Sequence, residues 1–278
     1  MRHVARRLAL FAALTIGCLA CDVSQDDEVA MGRDHAREID AQLPILQDAA
    51  VNAYVQSLGD AIARTTSRRD LAWRFVVVDS REVNAFAVPG GYIYVNRGLI
   101  ERADDLSELA GVLGHEIGHV VRRHSVEQMQ KARGTNIGVG IVCILIDICS
   151  SGAARVAINV GGQALFARYS RGHEAEADSE AVVNVIAAGI DPDGVPKFFE
   201  ELMAARASDP TLLDGFFGTH PLEESRVTAT RAHIARLEQE QPSRLRELAT
   251  DNADYQAFRQ RVLALPAPPA PREMPAPR

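Results

Sequence analysis

Apolar positions recur at helical spacing along most of this chain, and the exceptions cluster in one short stretch. Ile39, Leu43, Leu46, Ala50, Ala53, Tyr54 and Leu58 mark a mostly helical region over residues 31–66, interrupted at Pro44. Phe75 to Val78, Ala85 to Val88 and Tyr92 to Val95 are instead short β-rich runs. The last two are joined through Pro89-Gly90-Gly91, a strong turn signal. Together they predict a small antiparallel sheet. Asp105-Leu106-Ser107-Glu108 has the spacing of a capping box, which starts a helix at Leu106 that runs to about His124. A polar stretch follows to Gly134. Further helical patterns cover 163–188, 194–205, 222–240 and 243–264. The expected class is α+β, predominantly helical, with the small sheet beside the helix at Leu106.

Two stretches fall outside this pattern. Ile137 to Ile148 is nearly all apolar but too short for a membrane span, and it contains Asp147, so a buried helix or a membrane-facing flap is expected. Residues 266–278 contain six prolines and no periodicity, and read as a disordered tail. No internal repeat is visible. The chain's 278 residues suffice for one well-cored domain, and its formal charge of -7, with no basic cluster, argues against nucleic-acid binding.

The N-terminus reads as an export signal over residues 1–17. Arg2, Arg6 and Arg7 precede an apolar run from Leu8 to Gly17. Leu14-Thr15-Ile16-Gly17-Cys18 resembles a bacterial lipobox, in which the cysteine becomes the lipid-modified N-terminus. Cys21 is the alternative attachment point. Thr15 departs from the usual leucine, but Cys21 would place Cys18 at that position. The choice sets the address within the cell envelope. Leu19 after Cys18 implies the outer membrane, whereas Asp22 after Cys21 resembles an inner-membrane retention signal. Residues 18–30 then form a tether, and 31–265 form the folded domain. Export permits a disulfide between Cys143 and Cys149, but six residues apart on one helix they face different ways, so the pairing stays open.

The chemistry is concentrated in His115-Glu116-Ile117-Gly118-His119. Histidines four apart on a helix share one face and can ligate a single zinc ion, and the glutamate beside the first can take a proton from the attacking water. Leu106, Leu109, Ala110, Leu113, Ile117, Val120 and Val121 cluster on one side of this helix, and Gly111, Gly114 and Gly118 form an adjacent smooth strip. Three glycines inside a helix cost roughly 1 kcal/mol each against alanine, which implies close packing along that strip. A helix this apolar is buried, so its histidines line a cleft.

A catalytic zinc needs a third protein ligand. His124 is near but five residues past His119, and Arg122 and Ser125 occupy the positions where the metzincin pattern requires glycine and histidine. In Ser170-Arg171-Gly172-His173-Glu174-Ala175-Glu176-Ala177-Asp178, Glu174 and Asp178 share a face with Ala181, Val182 and Val185, while Glu176 points the opposite way. A buried carboxylate needs a partner, so Glu174 is the expected ligand. Asp178 is expected to orient a ligating histidine.

His-Glu-x-x-His followed by a distant Ser-Arg-x-x-Glu-x-Glu-Ala-Asp resembles the membrane-associated gluzincin metallopeptidases of the HtpX, BepA and Oma type. The similarity covers roughly residues 30–240 and lacks both the transmembrane helices of HtpX and Oma and the C-terminal helical repeats of BepA; a short lipoprotein form fits best. The resemblance implies a zincin-like fold, one zinc ion per chain, and peptide-bond hydrolysis with Glu116 as the base. Asn84, Ala85, Phe86 and Ala87, leading into Val88-Pro89-Gly90-Gly91, resemble the family's substrate-side edge strand. Thr219-His220-Pro221 and Arg226 resemble its His-Pro segment. They make His220 the first candidate and Arg226 the second for oxyanion donor. His220 has two other possible roles, as a fourth zinc ligand in a resting state or as a helix cap. Expected substrates are misfolded or unassembled envelope proteins. Two other functions fit a zinc site here: an envelope chaperone or assembly factor, and an amidase acting on cell-wall peptides.

Overall fold

The structure, a computed structural model, describes residues 23–134, 168–206, 210–221 and 223–269. The segment expected to be an export signal, Cys18, Cys21, the apolar run 137–148, Cys143, Cys149 and the end of the Pro-rich tail lie outside the described residues.

The first helix, α1 (Gln25–Gln42), starts earlier than expected. The Ser24 side chain accepts from the Asp27 amide, and Asp26, Asp27 and Glu28 put negative charge on the first turn, where the helix dipole favours it. Residues 25–30, expected within the tether, are therefore helical, and Glu28 is buried. Leu43, extended because Pro44 follows, ends α1. Helix α2 (Ala49–Ala63) begins where Asp48 accepts from the amides of Ala50 and Val51.

Strands β1 (Arg74–Val78), β2 (Ala85–Val88) and β3 (Tyr92–Asn96) form one sheet in the order β1-β3-β2. Strands β2 and β3 make the antiparallel hairpin that Pro89-Gly90-Gly91 predicts. Both glycines have positive φ, 82° and 96°, which side chains with a Cβ rarely adopt. The sheet as a whole is mixed rather than antiparallel. β1 pairs parallel with β3, from Arg74 opposite Tyr92 to Val78 opposite Asn96. Parallel neighbours ordinarily need a long crossover, but here β2 is itself the return strand.

All three strands are buried on both faces. Phe75, Val77, Ala85, Ala87, Ile93 and Val95 join the main core with α2 and the helices that follow. The alternate residues Val76, Val78, Phe86, Val88 and Tyr94 pack with Ile39 of α1. Burial on both sides explains why the strands read as continuous apolar runs.

Helix α3 (Arg97–Arg102) leads to α4 (Leu106–Val121), the helix of the His-Glu-x-x-His motif. Asp105 accepts from the Glu108 amide at 3.2 Å, and Glu108 reaches back to the Asp104 amide at 2.6 Å, one residue before the partner a strict capping box uses. Helix α4 ends at Val121, because Arg123 adopts a left-handed conformation with φ 58°. The stretch expected to be merely polar is a further helix, α5 (His124–Gly134).

Helices α6 (Arg171–Ala187), α7 (Gly194–Arg206), α8 (Pro210–Thr219), α9 (Glu224–Glu240) and α10 (Ala253–Leu263) complete the described fold. Within the described residues α6 begins only at Arg171, because Ser170 caps it by accepting from the His173 amide. Residues 243–264 are not one helix. After a 3-10 turn at Pro242–Arg244 the chain extends, and Thr250 and Asp251 accept from the amides of Ser107 and Leu106. That segment satisfies the unpaired donors at the start of α4. Helix α10 starts only at the Asn252 cap. The Pro-rich tail is tied down at its root, where Arg97 donates to the carbonyls of Leu265 and Pro266. Among the described residues no helix is long and apolar enough to cross a membrane.

The glycine strip of α4 is where α6 and α7 come closest. A Cβ on Gly111 would lie 2.9 Å from the backbone of Val195, one on Gly114 would lie 3.3 Å from Ala181 Cα, and one on Gly118 would lie 2.8 Å from the Ala177 carbonyl oxygen. Gly118→Ala is expected to lower stability, measured as a lower urea midpoint. Overpacking against backbone costs about 1–3 kcal/mol and outweighs the gain of roughly 1 kcal/mol in helix propensity. An unchanged or higher midpoint would mean that α6 moves aside freely.

Candidate metal centre

Helix α4 presents His115 and His119 one turn apart, and the glycine strip brings the first turns of α6 against them. Glu174 and Asp178 enter from α6. His220 enters from just beyond α8, and Arg226 from α9. All six side chains are buried.

Four of these residues converge. The candidate ligand atoms of His115, His119, Glu174 and His220 all lie within 4.8 Å of one another, and each residue is buried. The two Nε2 atoms of His115 and His119 are 3.0 Å apart. Glu174 Oε1 is 3.5 Å from His119 Nε2, and Oε2 is 3.6 Å from His115 Nε2. His220 Nδ1 lies 3.3 Å from His115 Nε2 and 3.2 Å from Glu174 Oε1. Four ligands placed tetrahedrally at zinc–nitrogen distances of about 2.0–2.1 Å are about 3.3 Å from one another. The donor set, its spacing and its burial therefore fit a zinc ion.

Glu116 stands apart from this set. Both its carboxylate oxygens are buried without a hydrogen-bond partner among the described residues, where the nearest cationic candidate is His220 Nε2, 3.5 Å from Oε1. Burial pushes its carboxyl up, against the pull of His220 and His115. Burial holds His119 well below its ordinary range, so the ring is neutral, the form that ligates a metal. Burial alone would raise Glu174. His220, together with hydrogen bonds from His119 and His220, outweighs it and holds the carboxyl well below the usual range. His220 is raised: burial works against its charge, and Glu174 and Glu116 outweigh burial.

A surrounding layer fixes these groups. Asp178 Oδ1 is 2.9 Å from His115 Nδ1. Arg226 donates from Nε and Nη2 to Asp178 at 2.9 and 2.7 Å, and from Nη1 to the Pro221 carbonyl at 2.9 Å. Nη1 also lies 2.5 Å from Glu174 Oε2. That contact is a close ion pair rather than an aligned hydrogen bond, since Oε2 accepts none. The guanidinium is thus committed to the carboxylates that hold the site. Glu176 points away, with 53% of its side chain exposed, 3.4 Å from His124 Nε2. Strand β2, with Ala85, Phe86 and Ala87, is among the described residues an edge of the sheet, paired with β3, and it packs beside α4. Asn84 precedes it, and its carbonyl accepts from the Asn96 amide.

Tyr169 escaped the sequence reading, and His124 entered it only as a poorly spaced candidate for the third ligand. The Tyr169 ring stacks on His119 at 3.8 Å, and its hydroxyl lies 2.9 Å from Ser125 Oγ. His124 Nδ1 lies 2.9 Å from His119 Nδ1. Tyr169 carries no motif signal beyond its place just before the Ser-Arg of the second motif. His124 is reached only because the left-handed turn at Arg123 folds the chain back.

The model of peptidase family M48 matches residues 49–234. A putative beta-barrel assembly-enhancing protease of Vibrio cholerae is 31% identical over 252 residues, which is 86% of this chain and 49% of that protein. The Escherichia coli beta-barrel assembly-enhancing protease is 29% identical over 75% of this chain and 44% of its own length. The mitochondrial metalloendopeptidase OMA1 of Schizosaccharomyces pombe is 30% identical over 74% of this chain and 60% of its own length. The chain spans about half the length of the first two relatives.

Proposed function

Because the chain belongs to peptidase family M48, we propose that it is a zinc-dependent endopeptidase of the bacterial envelope, acting on misfolded or unassembled proteins. The observation that carries this reading is the convergence of two imidazoles and one carboxylate on a single point, with the unpartnered Glu116 beside them. His115, His119 and Glu174 would hold the ion. Bound zinc supplies a water of near-neutral acidity and polarises the scissile carbonyl.

Glu116 takes the proton from the attacking water and delivers it to the leaving amine. Its burial raises its proton affinity towards that task. His220 donates to the developing oxyanion when substrate is bound. Without substrate, its Nδ1 would be placed to serve as a fourth donor to the ion. Arg226, the other candidate donor, serves instead to hold Asp178, which orients His115. The β2 edge, Asn84 to Ala87, pairs with extended substrate backbone, a mode that reads backbone more than sequence. The names of the V. cholerae and E. coli relatives, beta-barrel assembly-enhancing proteases, support substrates among envelope proteins.

Full metal removal with 1,10-phenanthroline is expected to stop casein cleavage, and added zinc to restore it. Cleavage that survives metal removal refutes the reading. Release of peptides from peptidoglycan with none from casein would favour the amidase alternative. The proposed membrane anchor is acylated Cys18, with Cys21 as the alternative; acyl mass on the first peptide in mass spectrometry is the expected result, and an unmodified soluble chain overturns it.

A further inference from the structure

Two buried histidines, His124 and His173, have no part in the proposed reaction. His124 is in hydrogen-bonding contact with a residue of the metal centre. His119 Nε2 faces the convergent point, so its Nδ1 points the other way, towards His124 Nδ1 at 2.9 Å. The tautomers then follow. A ring whose Nε2 lone pair faces a cation carries its proton on Nδ1 and donates from there. His124 Nδ1 must accept, which leaves the His124 proton on Nε2, 3.4 Å from Glu176 Oε2.

The fold builds this contact deliberately. Arg123 takes a left-handed conformation and is held there by Glu28 at 2.8 Å and by the Val23 carbonyl. The reversal starts α5 at His124 and turns its ring back beneath His119. His173 stacks on His124 at 4.3 Å and is itself bonded to Glu127 at 3.2 Å. Each of the two α4 histidines therefore has its own buried acceptor at Nδ1. His115 has the carboxylate of Asp178, and His119 has a neutral imidazole.

We propose that His124 is a positioning residue for metal binding: it accepts the Nδ1 proton of His119 and so fixes that ring's tautomer and orientation. The inference rests on the metal reading of the site. It also requires that the acceptor sit at the Nδ1 position of residue 124. Asn places a carbonyl oxygen there, Gln places one nearer the Nε2 position, and Ala places none.

The test is the zinc dissociation constant of the purified full chain, measured by competition with a chromogenic chelator, with circular dichroism as a folding control. His124→Ala and His124→Gln are expected to weaken zinc binding by about 10–100-fold, and His124→Asn to stay within about threefold of the unaltered chain. Unaltered zinc affinity in His124→Ala overturns the proposal. Equal losses in the Asn and Gln variants overturn it as well, since packing alone would then explain them. Should the Ala variant fail to fold, the Asn and Gln pair decides. An unaltered chain that binds no zinc refutes the metal reading itself, which is a different outcome from equal binding by all variants.

Discussion

Glu116→Gln is expected to retain zinc at about the unaltered stoichiometry while casein cleavage falls by about 10²–10⁴-fold, the range general acid–base catalysis contributes. The amide has nearly the shape of the carboxylate, so neither the packing of α4 nor the ligand spacing should change. It cannot take a proton from the attacking water. Two features of the site make the expected loss large. Both Glu116 oxygens are buried without hydrogen-bond partners among the described residues, so the amide breaks no hydrogen bond there, and burial raises the group's proton affinity. Glu116 is also outside the set of convergent ligand atoms, which separates loss of activity from loss of metal. Zinc content and casein turnover measured on one preparation decide it. A variant that keeps both zinc and turnover would remove Glu116 from the mechanism and leave a binding protein as the better reading. A variant that loses zinc would make it a ligand.

The second large effect separates two glutamates two residues apart. Glu174→Gln is expected to weaken zinc binding by more than about 100-fold, beyond the loss that outer-layer changes cause, because a neutral amide is a poor zinc ligand. The substitution also removes the charge that Arg226 Nη1 faces at 2.5 Å, so a buried cation loses part of its compensation. Glu176→Gln is expected to retain zinc and most activity. Its side chain is 53% exposed, and the amide oxygen that replaces a carboxylate oxygen still accepts from His124. Surface changes of this kind usually stay within about 0.5 kcal/mol. Loss of zinc from the Glu176 variant alone would overturn the ligand assignment.

Helix periodicity made much of this legible. Side chains two residues apart on a helix point to opposite sides, so the apolar stripe of α6 separates Glu174 from Glu176 without coordinates. The same arithmetic identifies the glycine strip of α4 before its partner is known. Periodicity fails where a backbone leaves its regular path. Arg123 reverses the chain at a left-handed residue, and no repeat carries past it. The expectation of a single helix over 243–264 failed for a related reason. The Thr250 carbonyl and the Asp251 carboxylate were needed by the first amides of α4, a demand that arises about 145 residues away in the chain. The sheet was read as antiparallel because a hairpin signal is local, whereas the pairing of β1 with β3 depends on which side of β3 remained open.

By itself the sequence determined most of the elements, the motif helix with its two histidines, the shared face of Glu174 and Asp178, and the family resemblance. Each of these is a matter of spacing along one element. Only the tertiary structure decided which groups from separate elements meet. It put His220 Nδ1 among the candidate ligand atoms, bound Arg226 to Asp178, stacked Tyr169 on His119, and gave His119 a histidine rather than a carboxylate at its Nδ1. Those contacts join residues far apart in the chain, or close in the chain but separated by a reversal. They exist because α4 lacks side chains along one strip, which lets α6 approach until buried polar groups have no partners but one another.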